Sequence, residues 1–145
     1  IEKVDGPSHL KVVEEFGYEM YMHCGAIRKV LLAWQTPAFI DEYFKNIILH
    51  DQAFPHVRPD DLREELKKIR QDGYAITHGE YVTDALGIGA PVFNSDGELA
   101  GSIGIIAPEI RVDTPEFLDT QKDLVQFYAS SLSADLGYEK HDVFQ

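Results

Sequence analysis

The sequence predicts an α+β domain, an antiparallel sheet with helices packed against it. Two observations carry this. Strand-like and helix-like segments come in blocks, in the order strands, helices, strands, helix. The second half also holds three strand segments, Gly73–Glu80, Gly87–Val92 and Gly104–Pro108, built largely of glycine, alanine and isoleucine. The turn Asn94-Ser95-Asp96-Gly97 joins the last two as a hairpin.

Taken in order, residues 1–5 and 9–16 read as two strands separated by Gly6-Pro7-Ser8. The alternation in His9–Phe16 is imperfect, so one face is expected to be only partly buried. A helix is predicted from about His23 to Trp34. Ala26, Ile27, Val30, Leu31 and Trp34 form its apolar stripe, and Arg28, Lys29 and Leu32 lie off it. A second helix opens at Thr36-Pro37, an N-cap followed by proline, with Ile40, Tyr43, Phe44, Ile47 and Ile48 on one side. A third spans about Pro59 to Asp72. Leu62, Leu66 and Ile69 face inward, acidic residues fill its first turn, and Gly73 closes it. After the sheet, Thr114-Pro115 opens a long last helix with Leu118, Val125, Tyr128 and Leu132 on its inner side, ending near Gly137. The domain is expected to span 1–138, with 139–145 as a tail.

Composition narrows the function. The chain has 145 residues, enough for one domain with a core. Its net charge of −12 opposes nucleic acid and anionic lipid, so any contact with DNA is expected through a part outside this chain. The single cysteine, Cys24, excludes an internal disulfide. No apolar run reaches the roughly 20 residues that span a bilayer. These features fit a reducing cytoplasm. The first residue is not methionine and lies in a strand-like run, which suggests a fragment of a longer polypeptide.

Catalytic and metal motifs are weak. Cys24 follows His23, but neighbours on a helix point about 100° apart, so adjacency makes no catalytic pair. The six histidines form no His-x-x-x-His pair on a predicted helix, and His50 and His56 read as solvated loop residues. No metal or cofactor is expected. Gly87-Ile88-Gly89 lacks the third glycine and the following helix of a dinucleotide fingerprint. The pairs Glu14-Glu15, Asp60-Asp61 and Glu64-Glu65 sit on polar faces and read as solvated.

The small residues of the sheet pose the main question. Gly87 and Gly89 share one strand face, as do Ser102, Gly104 and Ile106. If these faces meet the helix bearing Ala26 and Ile27, side-chain volume is missing between sheet and helix. A core does not leave a large void without a cost of several kcal/mol. Either a bulky side chain such as Tyr74 or Phe93 fills the space, or a small molecule does.

These segments together resemble the effector-binding domain of the IclR family of bacterial transcription regulators. The similarity begins at Val4-Asp5-Gly6-Pro7-Ser8 and continues through Met22–Ala33, similar to a His-x-x-Ala-x-Gly-Lys-Ala-Leu-Leu-Ala segment. It extends through Leu66, Ile69-Arg70, Gly73-Tyr74, Glu80 and Ala90-Pro91-Val92, to Asp96-Gly97 and Ala107-Pro108. The resemblance implies a GAF/PAS-like antiparallel sheet of about six strands with helices on both sides. It also implies a winged helix-turn-helix domain before residue 1 and assembly as homodimers or tetramers. Carried over by position, it implies a metabolite pocket lined by Leu10, Val13, Ala26, Ile27, Thr77, Ala85, Gly87, Gly104 and Ile106. Arg28 departs from the family's glycine at that point and is expected at the surface or a subunit contact. Gly104 and Ile106 replace hydroxyl-bearing residues of some relatives, and Thr77 replaces a carboxylate, so a roomier and less polar pocket is implied.

The expected function is ligand sensing without catalysis. The expected effector is a small organic acid, aromatic acids included. Apolar walls and the glycines, Gly89 among them, would hold its body. The helix start at Cys24-Gly25-Ala26 would hold a carboxylate, with His23, Thr77 or Ser102 orienting it. Two alternatives stand beside this reading. One is a thiol enzyme built on Cys24. The other is an assembly module that pairs subunits through exposed strands or the Ile40/Phe44/Ile48 helix.

Overall fold

A computed structural model describes residues 1–12, 20–50, 56–111 and 114–140. Its helices are α1 (Ala26–Ala33), α2 (Pro37–Tyr43), α3 (Pro59–Asp72) and α4 (Pro115–Asp135). Its strands are β1 (Ala75–His78), β2 (Ala85–Phe93) and β3 (Leu99–Pro108), paired antiparallel in that order. A π-helical turn, Phe44–Ile48, continues α2, and a 3-10 turn, Glu109–Arg111, follows β3.

The central strand β2 is buried on both sides. Leu86, Ile88, Ala90 and Val92 pack with Val125 and Ala129 of α4. On the other face, Gly87 and Gly89 lie against Ala26 and Ile27 of α1. A Cβ on Gly89 would meet the Ile27 nitrogen and Cα at 3.0 Å. Glycine is therefore what lets the start of α1 rest directly on the sheet. Beyond α1 a second core gathers Val30, Leu32 and Ala33 with Phe44, Ile48, Leu62, Leu66 and Ile69. Helices thus cover both faces of the sheet.

Local chemistry explains the element ends. Thr36 and Thr114 cap α2 and α4 by accepting the Phe39 and Phe117 N–H at 3.2 Å each, with proline next in both cases. α3 covers the predicted span and stops at Gly73, whose φ of 78° is open to glycine. The β2–β3 turn is fixed by Asn94 Oδ1, which accepts the Asp96 and Glu98 N–H, each at 3.0 Å.

The structure corrects several expectations. Residues 1–12 contain no strand, and the predicted continuation to residue 16 lies outside the described residues. Ile1 and Val4 are exposed, and Asp5 binds Lys3 and Lys11, each at 3.3 Å. The apolar residues of the first run, Ile1 and Val4, are three apart and would fall on opposite faces of a strand, so neither face offers an apolar surface to bury. Among the described residues the sheet has three strands, short of the number the resemblance implies. Tyr128 and Leu132 lie on the outer side of α4, because the sheet takes the smaller Ala129 and Ser133 instead. Ser133 Oγ accepts the Phe93 N–H at 3.0 Å and donates to the Ala129 carbonyl at 2.8 Å. Among the described residues, no helix is long and apolar enough to cross a membrane.

Candidate functional site

α1 starts at Ala26, three residues later than predicted, because Gly25 adopts φ 89° and turns the chain into the helix. Its cap comes from far along the sequence. Glu80, in the loop after β1, accepts the Gly25 N–H at 3.0 Å through Oε2. The other oxygen, Oε1, accepts from Lys29 Nζ at 2.5 Å. Lys29 also binds both oxygens of Glu65 on α3, at 2.7 and 2.8 Å. Lys29 is only 1% exposed, although it lies off the apolar stripe predicted for this helix. Nor is Glu65 merely solvated. One buried ammonium thus ties α1, α3 and the β1–β2 loop together, and Glu80 sits at the positive end of the α1 dipole.

Between α1 and the sheet lies a cavity of about 1040 Å³. Its floor is Ala85 and Gly87 on β2 with Ser102, Gly104 and Ile106 on β3. Ala26, Ile27, Arg28 and Leu31 of α1 form one wall, and Thr77 lies at the back. Glu80, Tyr81, Val82 and the N-terminal residues 1–6, 11 and 12 close the rim. Neither Tyr74 nor Phe93 lines it. Phe93 packs on Trp34 and Tyr138, with ring centroids 5.9 and 5.2 Å away, and Tyr74 lies under Lys122. The volume missing at Gly89 is taken up by the backbone of α1, and that at Gly87 by the side chains of Thr77 and Ala26. The cavity opens beside that contact, over Gly104 and Ile106.

Of the residues predicted for a ligand site, Ala26, Ile27, Thr77, Ala85, Gly87, Ser102, Gly104 and Ile106 line this cavity. Gly89 does not, since Ile27 covers it. His23 is fully buried away from it, with Nδ1 2.8 Å from the Tyr43 hydroxyl. Leu10 is 55% exposed and stands apart, and Val13 lies outside the described residues. Ser102 faces the cavity with its hydroxyl already donating to the Ile27 carbonyl at 3.0 Å, which pins α1 to β3. The helix start is also partly taken, because Glu80 occupies the Gly25 N–H.

Arg28 is half-buried in the cavity wall; the expectation was a place at the surface or a subunit contact. Its guanidinium lies 4.5 Å from the centre of the Tyr81 ring and donates to the Cys24 carbonyl at 3.1 Å. The late start of α1 curls Arg28 back over its own first turn. Arg111 lines the rim as well, beside Ser8. Polar groups therefore ring the mouth, while the floor is apolar and backbone. Glu80, Arg28 and Tyr81 were the site residues least legible in sequence. Lys29 lay off the predicted apolar stripe, so the sequence pattern gave no signal for its buried carboxylate partners.

Cys24 is buried and its thiol approaches the Glu80 carbonyl at 3.4 Å. Burial above all pushes its pKa up from the ordinary value, against the pull of Arg28. Such a thiol is protonated and shielded, the reverse of an activated nucleophile. Among the described residues no cluster of His, Cys, Asp and Glu is suited to a metal.

Fold and cavity define a class, an α+β domain holding a small-molecule-sized cavity between one sheet face and a capped helix. The family model described as bacterial transcriptional regulator IclR C-terminal matches residues 1–134. The chain is 30% identical to RhmR, an uncharacterized HTH-type transcriptional regulator of Escherichia coli K12, over 96% of this chain and 54% of that protein. It is 26% identical to the HTH-type transcriptional regulator KipR of Bacillus subtilis, over 95% and 55%. The crystal structure of Thermotoga maritima IclR superposes with a TM-score of 0.80 at 28% identity, covering 94% of this chain and 56% of that one. The chain belongs to the IclR C-terminal family, a family of transcription regulators and not of enzymes. It spans about half the length of the curated relatives it matches.

Proposed function

We propose that residues 1–138 sense a small organic acid and transmit its presence to a DNA-binding domain elsewhere in the same polypeptide. The observation that carries this is the cavity of about 1040 Å³ between α1 and the β2–β3 face. It is at the upper end of the ~300–1,000 Å³ typical of small-molecule sites, and it is apolar with a few convergent polar groups. The acid's body rests on Ala85, Gly87, Gly104 and Ile106. Its carboxylate lies at the rim between Arg28 and Arg111, since Glu80 already fills the start of α1. Thr77 sets orientation from the back wall.

The DNA-binding half of the proposal is supported by the relatives, which are named HTH-type regulators. The acidic surface supports assigning DNA contact to another part of the polypeptide. The setting is cytoplasmic and the regulator is a homodimer or tetramer. Binding acts as a switch because α1, α3 and the Glu80 loop share one buried ammonium, so an anion arriving beside Glu80 is felt by all three. A switch of this kind needs different affinity for two arrangements.

Isothermal titration calorimetry with aromatic, aliphatic and dicarboxylic acids tests the reading. At least one acid is expected to bind with sub-millimolar affinity, and Ile106→Trp, which fills the floor, is expected to abolish it. Absence of binding by every acid, or binding that Ile106→Trp leaves unchanged, overturns the proposal.

A further inference from the structure

We infer that the effector is a carboxylic acid with a hydrocarbon body, alkyl or aryl, and that acids carrying hydroxyl groups along the body are rejected. That class narrows the sensing role proposed above and depends on it. Size comes first. A volume of about 1040 Å³ holds roughly thirty waters at their liquid share. An acid of about two or three carbons displaces only a few of them. A longer body covers the apolar floor at Ala85, Gly87, Gly104 and Ile106 and frees the water that would otherwise wet it.

Hydrogen-bonding capacity decides the rest. Among the described residues on the floor and at the back, Thr77 and Ser102 are the two with polar side chains. Ser102 already donates its hydroxyl hydrogen to the Ile27 carbonyl at 3.0 Å. At the rim, Glu80 has one oxygen on the Gly25 N–H and the other on Lys29. β2 lies between β1 and β3, so its backbone groups are taken up by the sheet. A sugar acid brings a hydroxyl on nearly every carbon to a surface where Thr77 alone remains to meet them. Each hydroxyl buried without a partner weakens binding about 10-fold, whereas each buried methylene strengthens it about 4-fold. Charge sets which end goes in. Arg28 and Arg111 stand at the mouth, and among the described residues none on the floor is charged. The carboxylate therefore stays at the mouth and the body lies inward, since a carboxylate on the floor would lose its water without a cation to replace it.

Isothermal titration calorimetry on the 145-residue chain tests this with hexanoate, octanoate, decanoate, benzoate, naphthoate, succinate and gluconate. Affinity is expected to rise about 4-fold per methylene along the alkyl acids, or by a comparable step from benzoate to naphthoate. Gluconate is expected to bind at least about 100-fold more weakly than the best of them. Ile106→Thr keeps the branched shape and puts a hydroxyl on the floor. It is expected to keep the wild-type circular dichroism and to weaken the best hydrocarbon acid about 5-fold without weakening gluconate. Should the variant lose its native spectrum, the wild-type series decides alone. Affinity that is flat along both series, gluconate or succinate binding as tightly as the best hydrocarbon acid, or a folded Ile106→Thr that binds that acid as the wild type does, overturns this class and leaves the sensing role standing. Absence of binding by every acid overturns both.

Discussion

Replacing Gly89 with alanine isolates the contact that holds α1 on the sheet. The backbone at Gly89 lies outside the positive-φ region, so alanine meets no conformational penalty there. The added methyl would sit 3.0 Å from the Ile27 nitrogen and Cα, and 3.1 Å from the Ala26 carbonyl carbon. All three are backbone atoms, and no side-chain rotation clears them. Overpacking of this kind costs about 1–3 kcal/mol, offset by about 0.4–1 kcal/mol from a less flexible unfolded chain. The net loss is about 1–2 kcal/mol. Unfolding a chain of this length carries about 0.3 kcal/mol/K of entropy, so Tm falls by about 3–7 °C. Gly101→Ala on β3 is the control, since nothing lies within 4 Å of its Cβ. It is expected to melt at or slightly above the wild-type temperature. Thermal unfolding by circular dichroism reads both. If Gly89→Ala melts with the wild type, α1 does not rest on β2 as described, and the explanation of the glycines fails.

Two further outcomes follow from the same geometry. Lys29→Met leaves Glu65 and Glu80 facing each other without their cation, both with some access to water. The expected cost is about 2–4 kcal/mol in urea unfolding, below that of a fully enclosed pair; a wild-type midpoint would mean that the ion cluster holds nothing. At pH 8 the Cys24 thiol is expected to stay silent to a thiol-specific disulfide reagent in the native chain and to react once urea is added. The raised pKa keeps the proton on sulfur at this pH, and burial blocks approach. Fast native-state reaction would reopen the thiol chemistry.

How far the sequence disclosed the structure depended on whether local or distant residues decide each feature. α3 was legible from end to end, because proline, a charged first turn and an αL glycine are local signals. The β2–β3 hairpin was legible for the same reason. The start of α1 was not, since the group that caps it, Glu80, lies on another element. Hydrophobicity placed Leu118 and Val125 correctly on the inner side of α4 but added Tyr128 and Leu132, where close approach to β2 favours Ala129 and Ser133. In the site, strand alternation put Ser102, Gly104 and Ile106 on one face, whereas the cavity is lined by the unbroken run 100–108 of β3, so alternation alone did not separate floor from packing. It could not show that Gly89 faces helix backbone, nor that a helix starting late brings Arg28 inward. Small residues report a close approach without saying what approaches.

The central claim is that the space between α1 and the β2–β3 floor receives a small acid. Amide chemical shifts of the isotopically labelled chain, followed during titration with the tightest acid found by calorimetry, test it most directly. Saturable shifts are predicted to cluster at Ile27, Arg28, Thr77, Gly87, Gly104 and Ile106. Shifts confined to the shallow groove at Ile40, Arg63 and Arg70 on the far side of α1, or absent from the β3 floor, would contradict it.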